Sequence, residues 1–362
     1  MSWEPLTPAA ASRPIPTEPA WIFGAGQFGR AMASACVENG LKIRGFIETV
    51  PTQSELSGLP LKNWEAARRE GLDVPVIIGI FNRNTPYDHL ADLASSFGFR
   101  NLIFPWDLYA RLEDSLGWRY WLKSPEWHRD HESELSLAYS LLADETSRNC
   151  LRSVVAFRMG CNLRFGSYTH PESQYFNELT LPRFKDGRLS YLDGGAYNGD
   201  SYLSLVTKSP VKRAVLFEPD PGGYISLVHT LRSHGESALC LPLALSRGHV
   251  SLSFAGGQGE AAHLDPNGDV TITAAAIDDL LNGEEISFIK LDIEGAEIDA
   301  LIGAEETIKR YHPTLAISAY HRAEDLWTII TLVNSFNHKY RFFMRQHGFN
   351  TFDLVLYAVP YA

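Results

Sequence analysis

The stretch YLDGGAYNGD, residues 191–200, sets a carboxylate ahead of two glycines: Asp193, Gly195 and Gly199 make D-x-G-x-x-x-G, and Asp200 follows directly. A glycine turn between a strand and a helix lets the backbone come close to a ligand, and the helix N-terminus there favours anions. An acid at the strand tip changes that preference. It repels a pyrophosphate and suits a ligand carrying positive charge, of which the sulfonium and α-ammonium of S-adenosylmethionine are an example. Glu218, in VLFEPDP, lies nineteen residues past the last glycine, at the end of a second strand. A carboxylate in that place takes both hydroxyls of a ribose.

A third piece, FIKLDIEGAEIDALIGAEETIKRYHP, delivers Asp292 at the end of the apolar run Phe288–Leu291, the rim where ligands of open α/β sheets bind. Gly295 lets the chain turn, and Glu294, Glu297 and Asp299 follow within the first helical turns. Acids near a helix N-terminus are favoured by its dipole whatever the function, so Glu297 reads equally as a cap or as part of a site. Asp292 is poorly explained by stability alone.

In this order and spacing, YLDGGAYNGDSYLSL, FEPDP and FIKLDIEGAEIDALIGAEETI resemble the FkbM family of S-adenosylmethionine-dependent methyltransferases, whose most distinctive mark is D-x-E-G-A-E. The resemblance runs over residues 167–360, with SQYFNEL similar to the family's lead-in. It implies methylation of hydroxyl groups on sugars, polysaccharide precursors or natural products. By position, it gives cofactor roles to Asp193, Gly195, Gly199, Glu218 and Asp292, and places Asp292, Glu294 and Glu297 in the acidic cluster. One departure is SAYH at residues 318–321, where many relatives have an acid close to the histidine; the role of His321 is thereby left open.

Methyl transfer to a hydroxyl is an in-line displacement that needs aligned reactants and a proton acceptor. His321, titratable near neutral pH at the end of a strand, is the first candidate base, with a structural histidine as the equal alternative. Asp292 is the second candidate. A third arrangement puts a divalent ion, magnesium by its preference for oxygen, on Asp292, Glu294 or His321. His128-x-x-His131 lacks further ligand spacing and reads as a solvated helix face.

Near the other end, WIFGAGQFGR carries a complete G-x-G-x-x-G in Gly24, Gly26 and Gly29, with Glu48 nineteen residues beyond. This second device has no leading acid and is open to a phosphate, so it is a candidate site for a nucleotide. IFGAGQFGRAMASACVENGLKIRGFIE also resembles the nucleotide-sugar-binding amino-terminal domains of some sugar-modifying enzymes. Use of the fold for packing alone is the competing reading. No tyrosine begins a Tyr-x-x-x-Lys, which counts against an NAD-dependent oxidoreductase. A non-catalytic metabolite-binding protein is the third possibility, opposed by the intact strand-tip acids Asp193, Glu218 and Asp292.

These devices need sheets to hold them. Apolar runs at Ala20–Phe23, LKIRGFIE, Val74–Phe81 and Arg100–Pro105 alternate with helical stretches and predict a small parallel sheet. From Trp106 to Phe184 the pattern turns helical, aromatic and charged. Trp106, Trp118, Trp121 and Trp127 there suit interdomain packing, with a sugar-stacking platform as the lesser alternative. Further strands are expected at Leu189–Asp193, Ala214–Glu218, Ala238–Ala244, Ser287–Asp292 and Thr314–Ala319, with an inserted hairpin over 249–276 and a closing hairpin around Gly-Phe-Asn-Thr. The fold class is therefore α/β, with two doubly wound Rossmann-like domains. A leader spans 1–19, a nucleotide-binding-type domain 20–110, a helical connector 111–184 and a methyltransferase-type sheet with an antiparallel end 185–362.

The 362 residues carry 43 acidic against 32 basic side chains, a net charge of −11, with no Lys/Arg block that would mark nucleic-acid or anionic-membrane binding. The first twenty residues lack the basic and apolar regions of a secretion signal, and no apolar run approaches the ~18 residues of a spanning helix. Cys36, Cys150, Cys161 and Cys240 are far apart and read as small buried hydrophobes. A cytoplasmic enzyme with a small-molecule or carbohydrate substrate is the expectation, and a homo-oligomer is compatible with it.

Overall fold

An uninterrupted apolar run suits a strand covered on both faces, and Ala20–Phe23 (β1) is buried at every position. The computed structural model describes residues 13–165, 174–184, 189–236, 238–255, 263–264, 268, 270–336 and 338–361. After β1 come α1 (Gln27–Glu38), β2 (Ile43–Ile47), a small hairpin of β3 (Glu55–Leu56) and β4 (Leu59–Lys62), and α2 (Trp64–Arg68). These are followed by β5 (Val76–Ile78), α3 (Tyr87–Ser96), β6 (Leu102–Ile103) and α4 (Pro105–Leu116). The strands order as β3-β4-β2-β1-β5-β6, parallel except where β3 meets β4. The β3/β4 hairpin went unnoticed in the sequence because its strands are too short to show a period.

The described chain divides into two compact units, the first made of residues 13–136, 150–165 and 348–352. In it, α1 packs so closely on β1 that a Cβ at Gly29 would lie 1.9 Å from the Gly24 carbonyl oxygen, so only glycine fits. The helices continue as α5 (Pro125–Asp130), α6 (Glu132–Leu141) and α7 (Glu145–Arg158).

Trp106 and Trp121 are fully buried and pack among Tyr87, Phe104 and Phe157, the packing use expected of them rather than the lesser sugar-platform alternative. Two sequence expectations are corrected here. His128 is no solvated face: it is completely buried, and burial, reinforced by Arg158 and His131, lowers its pKa to about 3. Of the cysteines, only Cys36 and Cys150 are buried; Cys161 is exposed and Cys240 lies between. The residues 348–352, far along the chain, complete this unit. Asn350, in the left-handed region at φ 56°, accepts from the Tyr87 N–H and donates to the carbonyls of Asn82 and Thr85.

The second unit holds residues 137–149, 174–347 and 353–361. A 3-10 turn at Leu181–Phe184 leads into β7 (Leu189–Gly194), α8 (Asp200–Lys208), β8 (Val211–Phe217), α9 (Pro221–Ser233) and β9 (Leu239–Leu241). Next come β10 (Ala244–Leu245), β11 (Val250–Ala255), β12 (His263–Leu264), β13 (Val270–Ala275), α10 (Ile277–Leu281) and β14 (Phe288–Leu291). The chain ends with α11 (Glu297–Ile302), α12 (Glu305–Tyr311), β15 (Thr314–Ser318), α13 (Asp325–Phe336), β16 (Tyr340–Gln346) and β17 (Leu354–Pro360).

The main sheet has the order β16-β17-β15-β14-β7-β8-β9, parallel from β15 to β9 and antiparallel at β17 and β16, as expected of a methyltransferase-type sheet. The run expected as one strand at Ala238–Ala244 is two. Pro242, without an N–H, separates β9, which joins the main sheet, from β10, which joins β13. The inserted hairpin is β11 against β13, extended to a four-stranded sheet by β10 and β12. Its glycine-rich tip lies outside the described residues. The free edge of β16 is covered by the chain before α7: Ala143 N–H bonds the Phe342 carbonyl, Ser147 accepts from Met344 N–H, and Arg345 pairs with Asp144 at 2.8 Å. Among the described residues no helix is long and apolar enough to cross a membrane.

Candidate active site

The parallel register sets Asp193 of β7 opposite Lys290 of β14, so the carboxyl ends of the two strands meet with their turns side by side. The turns touch: a Cβ at Gly195, φ 76°, would lie 1.9 Å from the Asp292 carbonyl oxygen, which makes glycine obligatory. Gly199, φ 88°, is the N-cap of α8. Tyr197 in the same turn and Glu294 in the neighbouring one are both left-handed, at φ 46° and 53°. Two such strained non-glycine residues on adjacent turns are the kind of cost seen at functional sites.

Glu218, at the end of β8, is nearly buried. Its Oε2 accepts from the Tyr197 N–H at 2.7 Å and its Oε1 from the Asp220 N–H at 2.8 Å. Each oxygen thereby keeps a lone pair for a further donor. Burial raises its pKa, against the pull of those backbone bonds.

Asp193 is placed differently from expectation. It is completely buried, 2.9 Å from the ammonium of Lys290, and accepts from the Tyr191 hydroxyl at 2.9 Å. Burial pushes its pKa up to about 6 while Lys290 pulls the other way. Its charge is thus answered inside the protein, and the expectation that it meets a ligand's positive charge directly is corrected.

Asp292 is the strand-tip acid that reaches the surface, with a quarter of its side chain exposed. Tyr175 donates to Oδ2 at 2.9 Å and Tyr320 to Oδ1 at 3.3 Å. Burial alone would raise its pKa, but Lys290 and His321 outweigh that and hold it at about 2.

His321 sits completely buried among acids. Nδ1 is 2.8 Å from Glu297 Oε1, and Nε2 is 3.4 Å from Asp292 Oδ1 and 3.6 Å from Glu294 Oε2. Burial opposes its charge, yet Glu297 and then Glu294 prevail and raise its pKa well above the ordinary value. The surrounding acids thus favour its charged form, which fits the structural alternative for this histidine better than the role of base. Asp325, buried beside the same group, has its pKa raised by burial and by Glu297. Glu297, 1% exposed, accepts from both His321 and the Ile293 N–H and is internal to the turn. Among the described residues no three His, Cys, Asp or Glu side chains are grouped to hold a metal ion, and the third arrangement, with magnesium on Asp292, Glu294 or His321, gains no support.

Lys290 and Tyr175 were missed in the sequence. Lysine inside FIKL, a strand buried at all four positions, was the available signal, since a buried ammonium demands a partner. In the first unit, Gly24, Gly26 and Gly29 do form the turn into α1, and Glu48 follows β2, half-buried. Gly26 has no atom within 4 Å of where its Cβ would be, unlike its two partners.

Residues 193–351 match the family model described as the methyltransferase FkbM domain. No curated protein matches the sequence. Among solved structures, the methyltransferase FkbM of Methylobacillus flagellatus KT is similar over 94% of this chain and 89% of its own, with TM-score 0.76 and 22% identity. An rRNA methylase from Streptococcus thermophilus gives TM-score 0.34 at 16% identity over 50% of this chain and 91% of its own. A Streptococcus mutans protein in complex with SAH gives 0.31 at 14% over 49% and 91%. The chain carries a methyltransferase FkbM domain on an α/β, Rossmann-like fold, and it is a methyltransferase.

Proposed function

We propose that this methyltransferase domain transfers the methyl group of S-adenosylmethionine to a hydroxyl oxygen of a small-molecule or carbohydrate acceptor. The observation that carries the reading is the convergence, at one rim, of the Gly195 turn, Glu218, and the partly exposed acids Asp292 and Glu294. When bound, S-adenosylmethionine supplies an electrophilic methyl and a neutral thioether leaving group. The residues fit it: Glu218 retains an acceptor site on each oxygen for the ribose hydroxyls, and Gly195 keeps the turn free of a side chain.

For the chemistry, Asp292 is ionised and fixed by two phenols, which makes it a rigid acceptor that aligns the incoming hydroxyl. Its low proton affinity suits orientation better than proton storage. Glu294, 15% exposed on the same strained turn, is the group assigned to take the hydroxyl proton as the oxygen–carbon bond forms and to release it to water. His321 holds the two acids at fixed spacing and reduces their mutual repulsion.

The test is incubation with S-adenosylmethionine and panels of nucleotide-sugars, free sugars and hydroxylated natural products, read by mass and by the position of the new methyl. Transfer to oxygen supports the reading. Absence of donor binding, or transfer to nitrogen or carbon, overturns it.

In the first unit we read the Gly24-x-Gly26-x-x-Gly29 turn as a site for a nucleotide or nucleotide-sugar. Its support is the open space at Gly26 beside an N-terminus of α1 that has neither a side-chain cap nor an acid in its first turn. Thermal shifts with NAD, nucleotides and nucleotide-sugars, on the unaltered chain and on Gly26→Asp, decide it. A shift that Gly26→Asp abolishes supports the site, and no shift with any of them removes it.

A further inference from the structure

We propose that Lys290 is a positioning residue for the methyl-donor turn, acting through its ammonium on the backbone of Gly195; this rests on the donor-binding reading above. Lys290 is 2% exposed and sits in the middle of the sheet. Its Nζ lies 2.9 Å from Asp193 Oδ1 and donates to the Gly195 carbonyl at 2.7 Å. Its ammonium also lies 5.3 Å from the centre of the Tyr175 ring, and the hydroxyl of that ring bonds Asp292. One buried cation therefore touches the acid of the first strand, the carbonyl of the donor turn and the aromatic support of the neighbouring acid.

A lysine is a poor choice if the ion pair exists for stability alone. Replacing both charges with well-packed neutral groups is often neutral or stabilising, so a buried pair is weak evidence of a structural need. The bond from Nζ to the Gly195 carbonyl is what a neutral pair could not replace. Gly195 is left-handed and pressed against the Asp292 carbonyl, so its peptide has few ways to sit, and Lys290 selects one of them. Asp193 then serves as the counter-ion that keeps Lys290 charged and aimed.

The experiment compares the full chain with K290M and with D193N/K290M, measuring fold by circular dichroism and melting, and affinity for S-adenosylhomocysteine by calorimetry. Loss of one charge-assisted hydrogen bond that orders the turn predicts binding weakened about tenfold or more in both variants. The double variant, having no unpaired charge, is expected to melt close to the unaltered chain. If K290M does not fold, the double variant decides. A folded double variant that binds within twofold of the unaltered chain overturns the positioning role and leaves a purely structural pair. No binding by the unaltered chain overturns the donor-binding reading itself, and the proposal with it.

Discussion

His321 donates from Nδ1 to Glu297 Oε1 across 2.8 Å, joining the chain after β15 to the first residue of α11 with neither side chain exposed. The pair raises the histidine's pKa, and the sign of the linkage follows. Its contribution to stability is fully present below the unfolded value, about 6.5, and is lost as pH rises through the elevated folded value. His321→Gln removes one partner of a buried ion pair, a loss of about 3–5 kcal/mol. Denaturant unfolding at several pH values is expected to show the largest gap between the two proteins at and below about pH 6.5, closing on the alkaline side. A gap that widens with pH would show the imidazole to be neutral.

Both oxygens of Glu218 are anchored by a backbone N–H at the donor rim. Glu218→Ala removes the acceptors for a ribose diol and frees the Tyr197 N–H. One or two charged hydrogen bonds at about 1.5–3 kcal/mol each predict at least about tenfold weaker S-adenosylhomocysteine binding by calorimetry. Unchanged affinity would move the ribose elsewhere.

Asp292→Asn keeps the shape of the group while removing its charge and half of its accepting capacity. Donor affinity is expected to hold within a few-fold, while methyl transfer to the acceptor found in the panel falls by about 10²-fold or more. The readout is S-adenosylhomocysteine release with and without acceptor. Equal losses in binding and turnover would assign Asp292 to the donor alone.

His128 acts in the opposite sense to His321. Its pKa is depressed to about 3, so the stability tied to its neutral form is present above about 6.5 and lost as pH falls toward 3, where the unfolded chain takes a proton and the folded one resists. His128→Leu is expected to flatten the acid side of the melting curve. Melting temperatures between pH 7 and 4 for both proteins test this: the unaltered chain should lose more on acidification than the variant.

Much of the scaffold was legible because buried parallel strands announce themselves as short apolar runs. Ala20–Phe23 was readable to the residue, and Phe288–Leu291 pointed straight to Asp292 at its end. What one sequence could not supply was pairing across strands. Asp193 reads as an acid aimed outward until the register sets Lys290 opposite it, ninety-seven residues away. The charge state of His321 was hidden for the same reason, since Glu294, Glu297 and Asp292 reach it from another turn. His128 reads as a surface residue because its neighbours Glu126 and Asp130 are exposed and polar, while it faces inward on the same short helix.

The cover over β16 bears on any attempt to study the catalytic half in isolation. A fragment beginning at residue 185 would contain Asp193, Glu218, Asp292, Glu294 and Glu297, yet it would lack Ala143, Asp144 and Ser147. A seven-residue strand carrying buried Phe342, Phe343 and Met344 would then present unpaired amides and carbonyls to any second copy. Such a fragment is expected to associate edge to edge and precipitate on concentration, whereas one beginning before residue 137 should remain dispersed. The segment ahead of α7 is in this sense a built-in guard against self-assembly.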